Sequence, residues 1–303
     1  SDSRQTVAAP GVGLDNRIIG RLAADHLWER GFRHFGFVGV KGVGFSRTRV
    51  EAFAETLELR GHSVAKLELP ASLPVLDLKV ERRLRQWLTR LPKPAALFAV
   101  HDECSLLIAT LAREEGIRVP EDVAIIGSDD DSLVCELAWP KLSSIAVPAR
   151  QVGRVAAERL ARWLTEGRPK RECNTVLLPP AGVVTRQSTD VYRTPDDTVN
   201  RVLRFIGAEF QRRLNVDEIV RVMGVSRRAL ERKFRQTLGR SPLRELHRRR
   251  VEYARYLLCS GQDTLPRIAA RSGFADASQF VNVFRRHTGV TPGRYRREKG
   301  KTD

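Results

Sequence analysis

Past residue 198 this 303-residue chain has no stretch that reads as a β-strand, whereas before residue 190 strands and helices alternate. That change of period divides the molecule into an α/β part and an all-helical part. In the first part His34–Gly39, Ser63–Leu69, Ala95–Val100 and Val123–Gly127 are short apolar runs. Between them lie amphipathic segments over Phe45–Arg60, Val75–Arg90 and Asp102–Glu115. Gly61, Leu91-Pro92 and Gly116 close these helices, and Asp102 is placed to cap the third. Such an order implies a parallel sheet with right-handed crossovers and helices on both faces. Ligands on such sheets bind at the carboxyl ends of the strands, here Gly39-Val40-Lys41, Val100-His101-Asp102 and Gly127-Ser128-Asp129.

Residues 190 to 198 are polar, carry Pro195 and have no apolar period, so they read as a linker. Helices follow over Val199–Gln211, Val216–Met223, Ser226–Leu238, Pro242–Cys259, Leu265–Arg271 and Ala277–Thr288. Val216 to Pro242 and Leu265 to Pro292 repeat one another loosely. Each has a short helix, a glycine turn (Gly224, Gly273) and a longer helix, then a glycine and a proline. Glycine suits a turn that reverses with positive φ between closely packed helices. Ser226 is placed to cap the first of the longer helices.

Charge follows the same division. From 197 to 303 there are 25 Lys and Arg against 11 Asp and Glu, an excess of 14; before that, 28 against 25 leave an excess of 3. A basic domain set apart from a nearly neutral one is the electrostatic footprint of a polyanion binder. No run of apolar residues is long enough to span a membrane, and no secretory leader is visible at Ser1–Pro10. The four cysteines, Cys104, Cys135, Cys173 and Cys259, lie far apart without a CxxC pair. That speaks against a disulfide framework or zinc site and for a reducing cytoplasm. No cofactor is expected. No nucleophile–base pairing or phosphate loop accompanies the acidic run Asp129–Asp131, so no enzyme is expected either.

The helical part resembles the AraC/XylS family of transcription activators. Leu230, Phe234, Gly239, Pro242, Arg250, Ala254, Leu257, Ile268-Ala269, Gly273-Phe274, Phe280, Phe284, Gly289, Thr291-Pro292 and Tyr295-Arg296 carry the likeness. It implies seven helices over about 199–298 forming two helix-turn-helix units. The long helix at 242–259 would hold two recognition helices for successive major-groove segments of double-stranded promoter DNA, roughly 34 Å apart. With Leu230, Phe234 and Leu238 inward, the outer face of the first recognition helix presents Arg227, Arg228, Glu231, Arg232 and Arg235. By position Arg228, Glu231 and Arg232 match the family's base-facing sites, and Arg227 and Arg235 suit phosphate. In the second, Phe280 and Phe284 point inward and leave Ala277, Ser278, Val281, Asn282 and Arg285 outward. Asn282 suits adenine, with Ser278 and Arg285 flanking it.

The α/β part resembles the sugar-binding domains of the LacI/GalR repressors and of periplasmic binding proteins. Asp15-Asn16, Gly20, His26-Leu27, Gly31, Arg49, Phe53, His101-Asp102, the run Val119–Asp131, Pro140, Leu142-Ser143, Gly153 and Ala156 carry this likeness. Over 1–189 it implies two lobes with a cleft between them. The positions that match ligand contacts are Arg49, Asp102 and Asp129. Carboxylates accept from vicinal sugar hydroxyls and Arg donates to them in planar, charge-assisted pairs. Other roles stand open for each: an exposed helix position for Arg49, a helix cap for Asp102, a turn for Asp129. Asp130 and Asp131 read as turn formers. Members of the group carry about a hundred further residues ahead of the position where this sequence starts, the size of a small lobe. The second lobe, about 33–147, is expected whole and the first incomplete, reduced to one strand with an exposed sheet edge, the helix Arg17–Glu29 and the returning segments Arg150–Glu166 and Thr175–Thr185. Together the two likenesses imply a cytoplasmic, homodimeric activator that binds promoter repeats, answers to D-xylose or a related pentose, and touches RNA polymerase, with no membrane partner. Two alternatives remain: a regulator independent of ligand, and a sugar receptor with no role on DNA.

Overall fold

The computed structural model describes residues 11–70, 78–166, 175–260 and 263–300. They divide into two units, Ser1–Thr189 and Asp190–Asp303. The first runs β1 (Val12–Leu14), α1 (Asn16–Trp28), β2 (His34–Val40), α2 (Gly44–Glu58), β3 (Val64–Leu69), α3 (Leu78–Arg90), β4 (Ala95–Ala99) and α4 (Asp102–Glu114). It continues with β5 (Val123–Asp129), α5 (Ser132–Leu137), β6 (Ser143–Ala146), α6 (Ala149–Glu166), β7 (Val176–Leu178) and β8 (Gly182–Val184).

Six strands form one sheet in the order β3-β2-β4-β5-β6-β8. The first five are parallel and β8 runs antiparallel to β6. Helices cover both faces, which is why β4 is apolar and buried at every residue. Phe37 and Phe98 stand in register on β2 and β4, their rings edge to face at 5.3 Å, and Phe53 of α2 packs on Phe98 at 5.4 Å.

The sheet is larger than the sequence suggested. β6 and β8 lie in stretches without a continuous apolar run, and a short helical turn at Gln187–Thr189 packs beneath them. There Ser188 Oγ accepts from the Ser143 N–H at 2.8 Å and donates to the Ile125 carbonyl at 2.6 Å. The lobe read as 33–147 is thus completed by residues 182–189. The strand expected as a one-strand remnant is paired: β7, within the returning segment Thr175–Thr185, runs parallel to β1. Residues 71–77, which include the start of the helix expected over Val75–Arg90, lie outside the described residues.

The second unit holds α7 (Asp197–Glu209), α8 (Val216–Met223), α9 (Arg227–Leu238), α10 (Pro242–Ser260), α11 (Leu265–Arg271), α12 (Ala277–Thr288) and α13 (Pro292–Gly300). The stretch read as a linker belongs to it in part. Tyr192 is buried in a helical core, Asp196 caps α7 through the Val199 N–H, and α7 begins at Asp197. The unit has two cores. Val202, Ile206, Ile219, Leu230, Phe234 and Leu246 centre the first. Ala254, Leu258, Ile268, Phe274, Phe280 and Phe284 centre the second. Each fully buried Phe contributes about 1.5–3 kcal/mol relative to exposure. α10 serves both cores, Leu246 in one and Val251 to Leu258 in the other.

Candidate functional site

Two groups of residues carry function-bearing chemistry, one in each unit. The first gathers at the carboxyl ends of β2, β4 and β5. Arg49, on α2, is almost wholly buried. Its Nε donates to Asn16 Oδ1 at 2.9 Å and its Nη1 donates to the Val100 carbonyl. Its Nη2 faces Asp129 Oδ1 at 3.8 Å, and the guanidinium lies 5.0 Å over the Phe45 ring. Burial holds its pKa below the usual arginine range, against the pull of Asp129 and Asp102.

Asp129 ends β5 with its side chain partly exposed. It and Asp130 have φ of 118° and 58°, backbone that non-glycine residues rarely adopt, at about 1–3 kcal/mol each. A set of hydrogen bonds holds that turn. The Asp130 N–H donates to Ser144 Oγ at 3.0 Å, and the Asp131 N–H to Asp102 Oδ2 at 2.9 Å. Ser144 Oγ donates to Asp102 Oδ1 at 2.6 Å, and Arg186 Nη1 pairs with Asp130 at 2.9 Å. Asp131 also caps α5 through the Leu133 and Val134 N–H groups. Burial pushes the carboxyls of both Asp102 and Asp129 up to about 6; Arg49 pulls Asp129 the other way without cancelling it.

Asp102 does not cap its helix, as the sequence suggested. His101 does, its Nδ1 accepting from the Cys104 N–H at 3.1 Å. That leaves the fully buried Asp102 carboxylate facing the Asp129–Asp131 turn from below. Gly127 is required there, because a Cβ at that position would stand 2.2 Å from Asp102 Oδ1. The structure therefore brings Arg49, Asp102 and Asp129 together. Sequence reasoning missed Phe45, Ser144 and Arg186. Asn16 carries part of the likeness, and only folding shows that it holds the Arg49 guanidinium. Among the described residues no group of three His, Cys, Asp or Glu could hold a metal ion, and no helix is long and apolar enough to cross a membrane.

The second group lies on α9 and α12. Ser226 caps α9 by accepting from the Ala229 N–H at 3.2 Å, as its position implied. Leu230 and Phe234 are fully buried, and Leu238 is half-buried. Arg228 and Arg232 are exposed. Arg227 is engaged by Asp217 at 2.7 Å and by Glu231 at 3.5 Å, and Glu231 also faces Arg235 at 3.9 Å. On α12, Asp276 is the cap, accepting from the Gln279 N–H at 2.8 Å, while Gln279 Oε1 accepts from the Ala275 N–H at 3.0 Å. Phe280 and Phe284 are fully buried, Ala277 and Val281 are half-buried, and Ser278, Asn282 and Arg285 are exposed.

The two helix-turn-helix units are joined by a polar lock. From α10, Arg250 donates to the carbonyls of Phe210 (3.0 Å), Arg212 (2.9 Å) and Leu214 (2.9 Å), and lies 5.7 Å over the Phe274 ring. Burial lowers its pKa to about 10. Gly273, at φ 78°, sits against the same carbonyls; a Cβ there would come 2.1 Å from the Phe210 oxygen. The turn of the second unit is thus seated on the loop between α7 and α8 of the first.

Both parts of the chain resemble known proteins. Residues 24–189 match the periplasmic binding protein-like domain family and residues 219–298 match a helix-turn-helix domain family. The xylose operon regulatory protein of Escherichia coli K12 is 30% identical over 291 residues, covering 94% of this chain and 73% of its own length. Its namesake in Haemophilus influenzae is 26% identical, covering 95% and 74%. The solved structure of the xylose-binding transcription activator XylR superposes with a TM-score of 0.55 at 27% identity, over 99% of this chain and 80% of that one.

Proposed function

From the premise that this chain belongs to the family of the xylose operon regulatory proteins, and so is a DNA-binding transcription regulator with a sugar-sensing domain, we propose that it activates sugar-catabolism genes in response to D-xylose or a related pentose. Its relatives are transcriptional regulators, so the acidic run at Asp129–Asp131 is not an enzyme's catalytic cluster.

The observation that carries the sugar reading is the buried Arg49 guanidinium facing the half-open carboxylate of Asp129 at 3.8 Å. That gap is too wide for a hydrogen bond. A pair of neighbouring hydroxyls entering there would receive one hydrogen bond from Arg49 and donate another to Asp129. Phe45 offers an apolar face beside the pair. Asp102 has both oxygens engaged by Ser144 and Asp131, so it acts as a positioning residue that holds Asp129 in its strained conformation. On the DNA side the exposed faces of α9 and α12 enter the major groove at promoter repeats. Arg228, Glu231, Arg232, Ser278 and Asn282 meet bases; Arg227, Arg235 and Arg285 meet phosphate; Ala277 offers a methyl group. The active form is a homodimer that touches RNA polymerase. Sugar acts by binding one conformation more tightly than another.

The test is DNA binding to a xylose-promoter fragment at fixed salt, with and without D-xylose, for the native chain and for Asp129→Asn. Salt is fixed because phosphate contacts make affinity steeply salt-dependent. D-xylose is expected to change the affinity by about 5- to 150-fold, and Asp129→Asn to lose that response while keeping the sugar-free affinity. DNA binding indifferent to D-xylose and to other pentoses would overturn the sugar reading and leave a regulator independent of ligand.

A further inference from the structure

The two reading helices correspond residue for residue. Leu230 and Phe234 of α9 occupy the places of Phe280 and Phe284 of α12, all four fully buried. Both helices start on a capping side chain, Ser226 or Asp276, and end on a left-handed glycine, Gly239 or Gly289. With the inner faces matched, the outer faces can be compared position by position. Arg227, Arg228, Glu231 and Arg232 stand where α12 has Ala277, Ser278, Val281 and Asn282. Only Arg235 and Arg285 are alike. The scaffold is repeated and the chemistry on it is not.

We propose that one protomer reads DNA with a fixed polarity: a guanine-bearing segment of the major groove under α9 and an A·T segment under α12. This rests on the DNA-binding reading above and deepens it. Arg228 and Arg232 are exposed, lie one turn apart on the same side of α9, and have no acidic partner among the described residues. Their neighbours differ: Arg227 is held by Asp217 and Glu231, and Arg235 is drawn to Glu231. Two free guanidinium forks match the paired O6 and N7 acceptors of guanine. Glu231 between them is an acceptor on the same face, suited to the N4 amino group of cytosine and repelled by phosphate.

At the positions that match Arg228, Glu231 and Arg232, α12 offers none of this. Its exposed reading side chains, Ser278 and Asn282, are neutral. Gln279, its other amide, is engaged by the Ala275 N–H, which leaves Asn282 as the fork that can take adenine N6 and N7 together. The half-buried Ala277 and Val281 beside it suit the thymine methyl. The lock of Arg250 and Gly273 on the 210–214 loop holds the two helices in one mutual arrangement, so the two segments must come in one order and at one spacing. Helix-turn-helix half-sites ordinarily lie about one helical turn apart.

The experiment is selection from randomised duplex DNA by the full chain at fixed salt, repeated with Arg228→Lys, Arg232→Lys and Asn282→Ala. Guanines are expected in one segment and A·T pairs in the other. Each lysine variant should lose about 10- to 100-fold in discrimination at one guanine while keeping its salt dependence, since charge stays and the fork goes. Asn282→Ala should relax only the A·T segment. Segments of like composition would overturn the proposal, as would lysine variants that select the native site unchanged, since Arg228 and Arg232 would then be phosphate contacts. Failure to enrich any duplex would instead overturn the DNA-binding reading itself, and this proposal with it.

Discussion

Each unit buries a carboxylate completely, and the two are treated in opposite ways. Glu245, on α10, is surrounded by cations: Arg240 at 2.6 Å, Arg248 at 2.8 Å and Arg249 at 3.5 Å. Burial alone would raise its pKa, but the guanidiniums hold it down at about 2. Asp102, beneath the sheet's carboxyl end, receives neutral groups, a serine hydroxyl, a backbone N–H and the Cys135 thiol, with a second carboxylate, Asp129, close by. Burial wins there and its pKa stands at about 6. Glu245 is neutralised by a cluster of cations that ties α10 to the turn before it. The Asp102–Asp129 pair is left under-neutralised, which is what a site awaiting polar groups from a ligand looks like.

The most severe way to break this comparison is Glu245→Gln. Three clustered guanidiniums would lose their shared anion, at about 3–5 kcal/mol. Denaturant unfolding should show that loss in the helical unit, and a loss under about 1 kcal/mol would mean the cluster is not the buried network described. Acid should separate the two units next. Glu245 has a folded pKa below its unfolded value, so its contribution is present above about pH 4.5 and is lost as pH falls toward 2, about 3 kcal/mol in all. Asp102 has a folded pKa above its unfolded value. Its contribution is present below about pH 4 and is lost as pH rises through 6, also about 3 kcal/mol. Between pH 7 and 4 the α/β unit should therefore gain stability from this group, while the helical unit weakens only below pH 4.5. Unit-resolved hydrogen exchange or melting across that range reads both, and parallel profiles would contradict the assignment. The smallest effect sharpens the contrast between buried and exposed pairs. Arg227→Ala breaks the surface bridges to Asp217 and Glu231 and should cost under about 1 kcal/mol. It should still lower DNA affinity and shallow its logarithmic salt slope by about one, as for one lost phosphate contact.

Much of the helical unit was legible in the sequence. α8, α11 and α12 begin and end where periodicity, caps and glycines put them, because each signal is local. β6 was not, because Ser143 and Ser144 are buried for their hydrogen bonds to distant residues, and no apolar run announces that. β8 has three residues, too few to show a period. The cap of α4 was assigned to Asp102 on residue type, yet His101 precedes it and takes the Cys104 N–H. At the α/β site the residues were legible through resemblance, but not which of their atoms were already engaged. Nothing in the sequence singles out Arg240, Arg248 and Arg249; that they converge on Glu245 depends on packing that spacing alone does not report.

α10 is one helix with a share in two cores. Neither half of the helical unit can melt while α10 stays intact for the other without exposing apolar surface on it. The seven helices should therefore unfold as one cooperative block with a single transition, and the amides of mid-α10 should exchange with solvent only through global opening.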